Sequence, residues 1–353
     1  MYSTPRTSDL QGRLITSTSK YIRLTLAILL FSGLLNCQPT SIPGFSSSPY
    51  FEEQIQTLRF KDMMTIHINA PAISELDPDR PIGIALFALP NGNTIEQTAG
   101  KVLQEGDDWH YNIQHIAAQT RYLRQDHLGY NLVTVYLEAD QLSWPAWKAS
   151  QPEYAAIVQE LVSMIRAQFS EYETFLILTG HSGGGRFVFS FLDGANPIPE
   201  YVKRICFLDS DYGYEHHYGD QLREWLDRSS DHYLSVLAYN DSIALYKGKT
   251  FVSATGGTWY RSRMMQQDLA EYYPFQTKEN DDLIHHRALD GRIMITLKKN
   301  PDRGIYHTEQ VELNGFIHTM VSGTERESVG YEYFGDRVYE DLIQAEELPR
   351  TAE

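Results

Sequence analysis

A serine stands between two glycines in Gly180-His181-Ser182-Gly183-Gly184, directly after the apolar run Phe175-Leu176-Ile177-Leu178. A second apolar stretch, Phe187-Val188-Phe189-Ser190-Phe191-Leu192, follows it. The order predicts a buried strand, a sharp turn and a helix, with the Ser182 hydroxyl held at the helix N-terminus. Such a turn strains the serine backbone, and only glycines allow strand and helix to come so close. The chemistry that suits the arrangement is nucleophilic attack on a carbonyl, with the Gly183 N–H aimed at the oxyanion that develops.

With this motif in place, the chain resembles the α/β-hydrolase superfamily in its order of elements over most of residues 60–330. The resemblance implies a Ser, acid, His triad in that chain order and an oxyanion loop after an earlier strand. Leu89-Pro90-Asn91-Gly92-Asn93-Thr94 occupies the place of that loop, a variant in which Asn stands for His. Asn91, Gly92 and Asn93 are its candidate donors. Twelve histidines compete for the base. His318 follows a Gly-led turn and leads an apolar run, which suits a loop entering a helix. His307 lies in an alternating stretch over 305–313 that predicts a strand, and His285 and His286 are further candidates. For the acid, Asp241 closes one strand at the usual superfamily position. Asp209 closes the preceding strand, a location some hydrolases use, and Asp211 stands two residues on.

Short apolar runs alternating with helical patterns predict a mostly parallel central sheet flanked by helices on both faces, an α/β fold of α/β-hydrolase type. Strands are expected over 63–69, 81–89, 130–137, 175–178, 202–208, 233–238 and 292–297. Helices are expected over 108–124, 150–169 and 220–226, with a closing helix over 331–343. There is no internal repeat, and a single domain over 51–345 with a tail at 346–353 is the simplest organisation.

The first 23 residues carry Arg6, Arg13, Lys20 and Arg23 against Asp9, and an apolar run follows over 24–35. That is a secretory signal pattern, shorter than the roughly 20 residues a spanning helix needs. Leu34-Leu35-Asn36-Cys37 resembles a bacterial lipoprotein signal. The resemblance implies removal of residues 1–36, acylation of Cys37 and a lipid anchor in the cell envelope. Residues 37–50, rich in Ser and Pro, then read as a flexible tether. The other cysteine, Cys206, lies in the apolar run over 205–208 and reads as an inert buried thiol, so no disulfide framework is expected. The net charge of −16 disfavours nucleic acid as a partner. Neither Glu215-His216-His217 nor the 281–286 segment has metal-ligand spacing, so no metal or cofactor is expected. Arg186 reads as a surface ion-pair residue or as a partner for a substrate carboxylate.

The implied activity is serine hydrolysis of a small-molecule or envelope-derived acyl ester. Peptidase, amidase or acyl-transfer chemistry would use the same triad. The alternative is a non-catalytic envelope lipoprotein that binds a ligand on the same scaffold.

Overall fold

The computed structural model describes Met1 and residues 41–125 and 128–346. The expected signal segment and Cys37 lie outside the described residues. Among the described residues thirteen strands run in chain order: β1 (Ser46–Ser47), β2 (Glu53–Phe60), β3 (Met64–Pro71), β4 (Ile82–Ala88), β5 (Asn131–Ala139), β6 (Thr174–His181), β7 (Val202–Leu208), β8 (Tyr233–Tyr239), the short pair β9 (Leu245–Tyr246) and β10 (Lys249–Thr250), β11 (Gln276–Glu279), β12 (Leu283–Ala288) and β13 (Ile293–Lys298). All but β9 and β10 form one sheet in the order β1-β2-β3-β5-β4-β6-β7-β8-β13-β12-β11. From β5 to β13 that order is parallel, and antiparallel strands extend both edges.

The helices are α1 (Ile95–Ala99), α2 (Ile116–Arg124), α3 (Trp144–Ser150), α4 (Tyr154–Ala167), α5 (Gly185–Asp193), α6 (His216–Arg228), α7 (Thr258–Ala270), α8 (Glu309–Glu312) and α9 (Gly315–Val321). They cover both faces because the central strands are apolar on both. On β4, Ile84, Leu86 and Ala88 face one core, with Val158 and Leu161 of α4, Phe187 and Phe191 of α5 and Leu222 and Trp225 of α6. Ala85 and Phe87 alternate with them and face the other, with Ile116 and Leu123 of α2 and Phe316 and Met320 of α9. A strand buried on both sides reads as a continuous hydrophobic run, which is why β4 to β8 were legible in the sequence. The result is the expected α/β architecture, a mostly parallel central sheet flanked by helices on both faces. Among the described residues no helix is long and apolar enough to cross a membrane.

Several expectations are corrected. Residues 41–47, assigned to a free tether, are packed: Ile42 and Phe45 are buried, Phe45 meets Phe169 edge-on, and β1 pairs with β2. The helix expected over 108–124 is interrupted, a 3-10 segment at Trp109–Asn112 and then α2, because His115 enters α2 in a left-handed conformation at φ 46°. The strand expected over 305–313 is a loop followed by the single turn α8. Its alternation was accidental, since Ile305 is exposed while Val311 is buried under α9. The closing helix expected over 331–343 is replaced by turns ending in a 3-10 helix at Glu340–Leu342. The buried Asn314 side chain donates to the carbonyls of Glu332 and Asp336 at 2.8 Å, which spends that backbone's acceptors on a bend.

One buried ionic group ties the antiparallel edge to α2. Glu53 of β2 accepts from Arg121 Nε (3.0 Å), Arg124 Nη1 (2.9 Å) and Asn69 Nδ2 (2.8 Å). Burial opposes its charged form, and the Arg124 and Arg121 charges overcome that, holding the carboxyl below its usual range. Removing the carboxylate would strand two guanidinium groups in the interior. Glu53→Ala is therefore expected to cost about 3–5 kcal/mol. Arg59→Ala, which breaks the exposed pair with Asp140, is expected to cost less than about 1 kcal/mol. Denaturant unfolding of the two variants checks the contrast.

Candidate active site

Strand β6 ends at His181, and the chain turns through a 3-10 segment, Ser182–Gly184, into α5. Ser182 takes φ 54°, a left-handed conformation that costs a non-glycine residue energy and persists only when its surroundings enforce it. The enforcement is visible at the neighbouring glycines. A Cβ on Gly185 would lie 1.8 Å from the Ser210 carbonyl oxygen, so α5 begins against the loop that follows β7. A Cβ on Gly183 would lie 2.1 Å from Asn91 Oδ1, so the Asn91 side chain covers the turn.

Asn91, Ser182 and Gly183 share a pocket of about 250 Å³ with Pro145, Arg186, Ser210, Tyr212 and Gly213. The other two residues of the expected oxyanion loop point their backbone elsewhere. Gly92 N–H donates to Leu142 O at 2.8 Å, and Asn93 N–H closes a turn on Pro90 O at 3.4 Å. Of that loop, Asn91 is the residue brought to Ser182.

The expected partnership of His318 with an acid does not form. His318 lies on α9, buried, with Nδ1 hydrogen-bonded to the Tyr331 hydroxyl at 2.9 Å and its ring stacked on Tyr333 at 4.8 Å. Burial pushes it down to about 4, so it is neutral near pH 7. Of the candidate bases, the one that meets a carboxylate is His307, in the loop after β13. Its Nδ1 donates a short hydrogen bond to Asp209 Oδ2, and its side chain is a quarter exposed. Its ring lies 4.5 Å from that of His181, the residue before the serine. His181 Nε2–H also donates to the His307 carbonyl at 3.0 Å, which pins the loop to the end of β6. Burial, then the neighbouring His307, hold His181 well below the usual imidazole range and keep it uncharged. Asn300 closes the other end of the loop, donating to the carbonyls of Asn240 and Gly304 at 3.0 Å. His285 and His286 sit on β12, where they meet Thr296 and Thr277.

The two acid candidates divide by what α7 takes from each. Asp241 caps that helix: its Oδ2 accepts Thr258 N–H at 2.9 Å. A Cβ on Gly257 would fall 1.9 Å from the same oxygen. Asp209, fully buried at φ 45°, accepts Thr258 Oγ1–H on Oδ1 and leaves Oδ2 to His307. Asp211 is buried with Oδ2 accepting Ser262 Oγ–H at 2.8 Å, and burial holds its carboxyl well above the usual range. Thr258 was not singled out in the sequence. The signal for it was the Gly256-Gly257 turn ahead of a helical pattern. His307 was signalled by the loop markers Asn300-Pro301-Asp302-Arg303-Gly304 directly after the last parallel strand.

Cys206 is a buried free thiol, pushed up to about 12 by burial, with Sγ donating to Thr319 O. Among the described residues no group of three or more His, Cys, Asp or Glu side chains gathers as a metal site.

No protein-family model and no curated relative matches the chain. In chain path it is similar to a thermostable esterase, at 13% identity and a TM-score of 0.46 over 77% of this chain. It spans 63% of that esterase's length. An acetyl xylan esterase from Aspergillus awamori is similar at 12% identity and a TM-score of 0.41, over 70% of this chain and 92% of that one. A glucuronoyl esterase from Solibacter usitatus is similar at 13% identity and a TM-score of 0.40, over 78% and 84%. At such identities the chemistry rests on the residues of this chain.

Asp241 makes the acid cluster sensitive to pH. Burial, then the neighbouring Asp209, push its carboxyl up to about 7. The folded protein therefore holds a proton there that the unfolded chain gives up near pH 4, and stability falls as pH rises from about 4 to 7. Asp241→Asn removes that loss. Its unfolding free energy relative to wild type is expected to rise across pH 4–7, by up to about 1.4 kcal/mol per unit, with the melting-temperature difference moving the same way, and to level off above it. Thermal unfolding across the pH range reads this directly.

Proposed function

We propose that the protein is a serine hydrolase acting on carboxylic esters. Ser182 is the nucleophile, His307 the base and Asp209 the acid that orients it. The observation that carries this reading is the His307–Asp209 hydrogen bond on a loop pinned to His181, the residue before a serine held at positive φ. With Nδ1–H donated to Asp209, the free Nε2 takes the Ser182 proton as the hydroxyl attacks the ester carbonyl. The Gly183 N–H and the Asn91 side chain stabilise the oxyanion of the tetrahedral intermediate. Collapse expels the alcohol with a proton returned by His307, and water releases the acyl group by the same steps in reverse. Asp241, engaged on α7, has no direct role, and His318 holds α9 to the segment bearing Tyr331 and Tyr333.

Labelling by a fluorophosphonate probe and turnover of a chromogenic ester test the assignment together. Ser182→Ala is expected to abolish labelling, and His307→Ala to lower kcat by at least about a thousandfold. His318→Gln is expected to cost stability while the folded fraction keeps labelling. A wild-type protein that is folded yet neither labels nor turns over esters overturns the reading. Loss of activity in the His318 variant at unchanged folding reverses the choice of base.

The basic residues of 1–23 and the apolar run of 24–35 support attachment to the cell envelope through an acylated Cys37. Cys37→Ala is expected to move the protein from the membrane fraction to the soluble one, as fractionation and blotting would reveal.

A further inference from the structure

The guanidinium of Arg186 stands in the pocket with Ser182 and has no carboxylate or hydrogen-bond acceptor among the described residues. It lies over the backbone of Gly213, where a Cβ would be 2.8 Å from Nη1. The nearby acids are committed elsewhere, Asp209 to His307 and Thr258, Asp211 to Ser262. Other arginines of the fold are engaged: Arg121 and Arg124 on Glu53, Arg204 on the Thr319 carbonyl, Arg337 on Glu312. A second polar group in the same wall is also unused. Ser210 is 1% exposed, and its Oγ has no hydrogen-bond partner among the described residues.

From these observations we infer the substrate class of the proposed hydrolase: an ester carrying a carboxylate on the part held against the turn, bound by Arg186. Arg186 follows the nucleophile by four residues at the start of α5, so it rides on the same rigid turn. A guanidinium pairs bidentately with a carboxylate and sets its orientation as well as its affinity. A chain of net charge −16 repels anions at long range. A fixed cation in the site is what would let an anionic ester remain there. A neutral ester leaves the same group unpaired. The inference rests on the hydrolase reading, and the reaction adds nothing to it: water cleaves the acyl–oxygen bond, the carboxylate tag unchanged.

The test uses matched esters of equal size. On the alcohol side the pair is 4-acetoxybenzoate and 4-acetoxybenzamide. On the acyl side it is mono-4-nitrophenyl adipate and 4-nitrophenyl hexanoate. Wild type is expected to favour the anionic member of at least one pair in kcat/KM, mainly through KM. Arg186→Gln is expected to reduce that preference by about 10- to 100-fold, and Arg186→Lys to restore part of it. No preference in either pair, or equal loss on both members in Arg186→Gln, overturns the inference while leaving the ester hydrolase standing. Failure of wild type to turn over any ester or to label at Ser182 overturns both.

Discussion

The left-handed backbone of Ser182 is the constraint around which the rest is arranged. A serine does not adopt φ 54° on its own account, so the fold must hold it there. It does so from three sides. Strand β6 fixes the residue before it, paired on both edges to β4 and β7. Helix α5 fixes the residues after it, with Phe187, Val188 and Phe191 buried in one core. The loops after β4 and β7 close over the glycines, where any side chain would collide with Asn91 or with the Ser210 carbonyl. Strain in the turn and precision in the pocket thus have one cause, the absence of Cβ atoms where three backbones converge.

The second arrangement is a division of labour among buried polar groups. Thr258, the first residue of α7, donates its N–H to Asp241 and its hydroxyl to Asp209. One residue therefore decides that the first carboxyl caps a helix and that the second keeps an oxygen for His307. Asp241, pushed up to about 7, carries less charge near neutrality than two fully ionised neighbours would require. The histidines divide in the same way. His318 is enclosed by Tyr331 and Tyr333 and stays neutral, His181 ties the His307 loop to β6, and of these three His307 is the one with both a carboxylate and access to solvent.

Much of this was legible in the sequence for a physical reason. Apolar runs buried on both faces need no tertiary information to be read as central strands, and β4 to β8 and β13 lie where the runs predict them. The Gly-x-Ser-x-Gly spacing encodes its own turn, because only glycines permit it. The elements misread were those whose local pattern is ambiguous. The 305–313 alternation involves too few residues to outweigh the preceding loop. The turns over 331–343 depend on the Asn314 side chain, which reaches them across about twenty residues of chain.

The sequence by itself determined the kind of scaffold, the strained serine and the short list of histidines and acids, since each follows from local composition and spacing. Tertiary structure alone decided among the members of that list. His307 and Asp209 are 98 residues apart in the chain, and Thr258 reaches Asp209 across 49. No local periodicity carries such pairings, because they exist only once the parallel strands bring the loops at one sheet edge together. The same holds for Arg186, whose lack of an acidic partner is a property of everything packed around it.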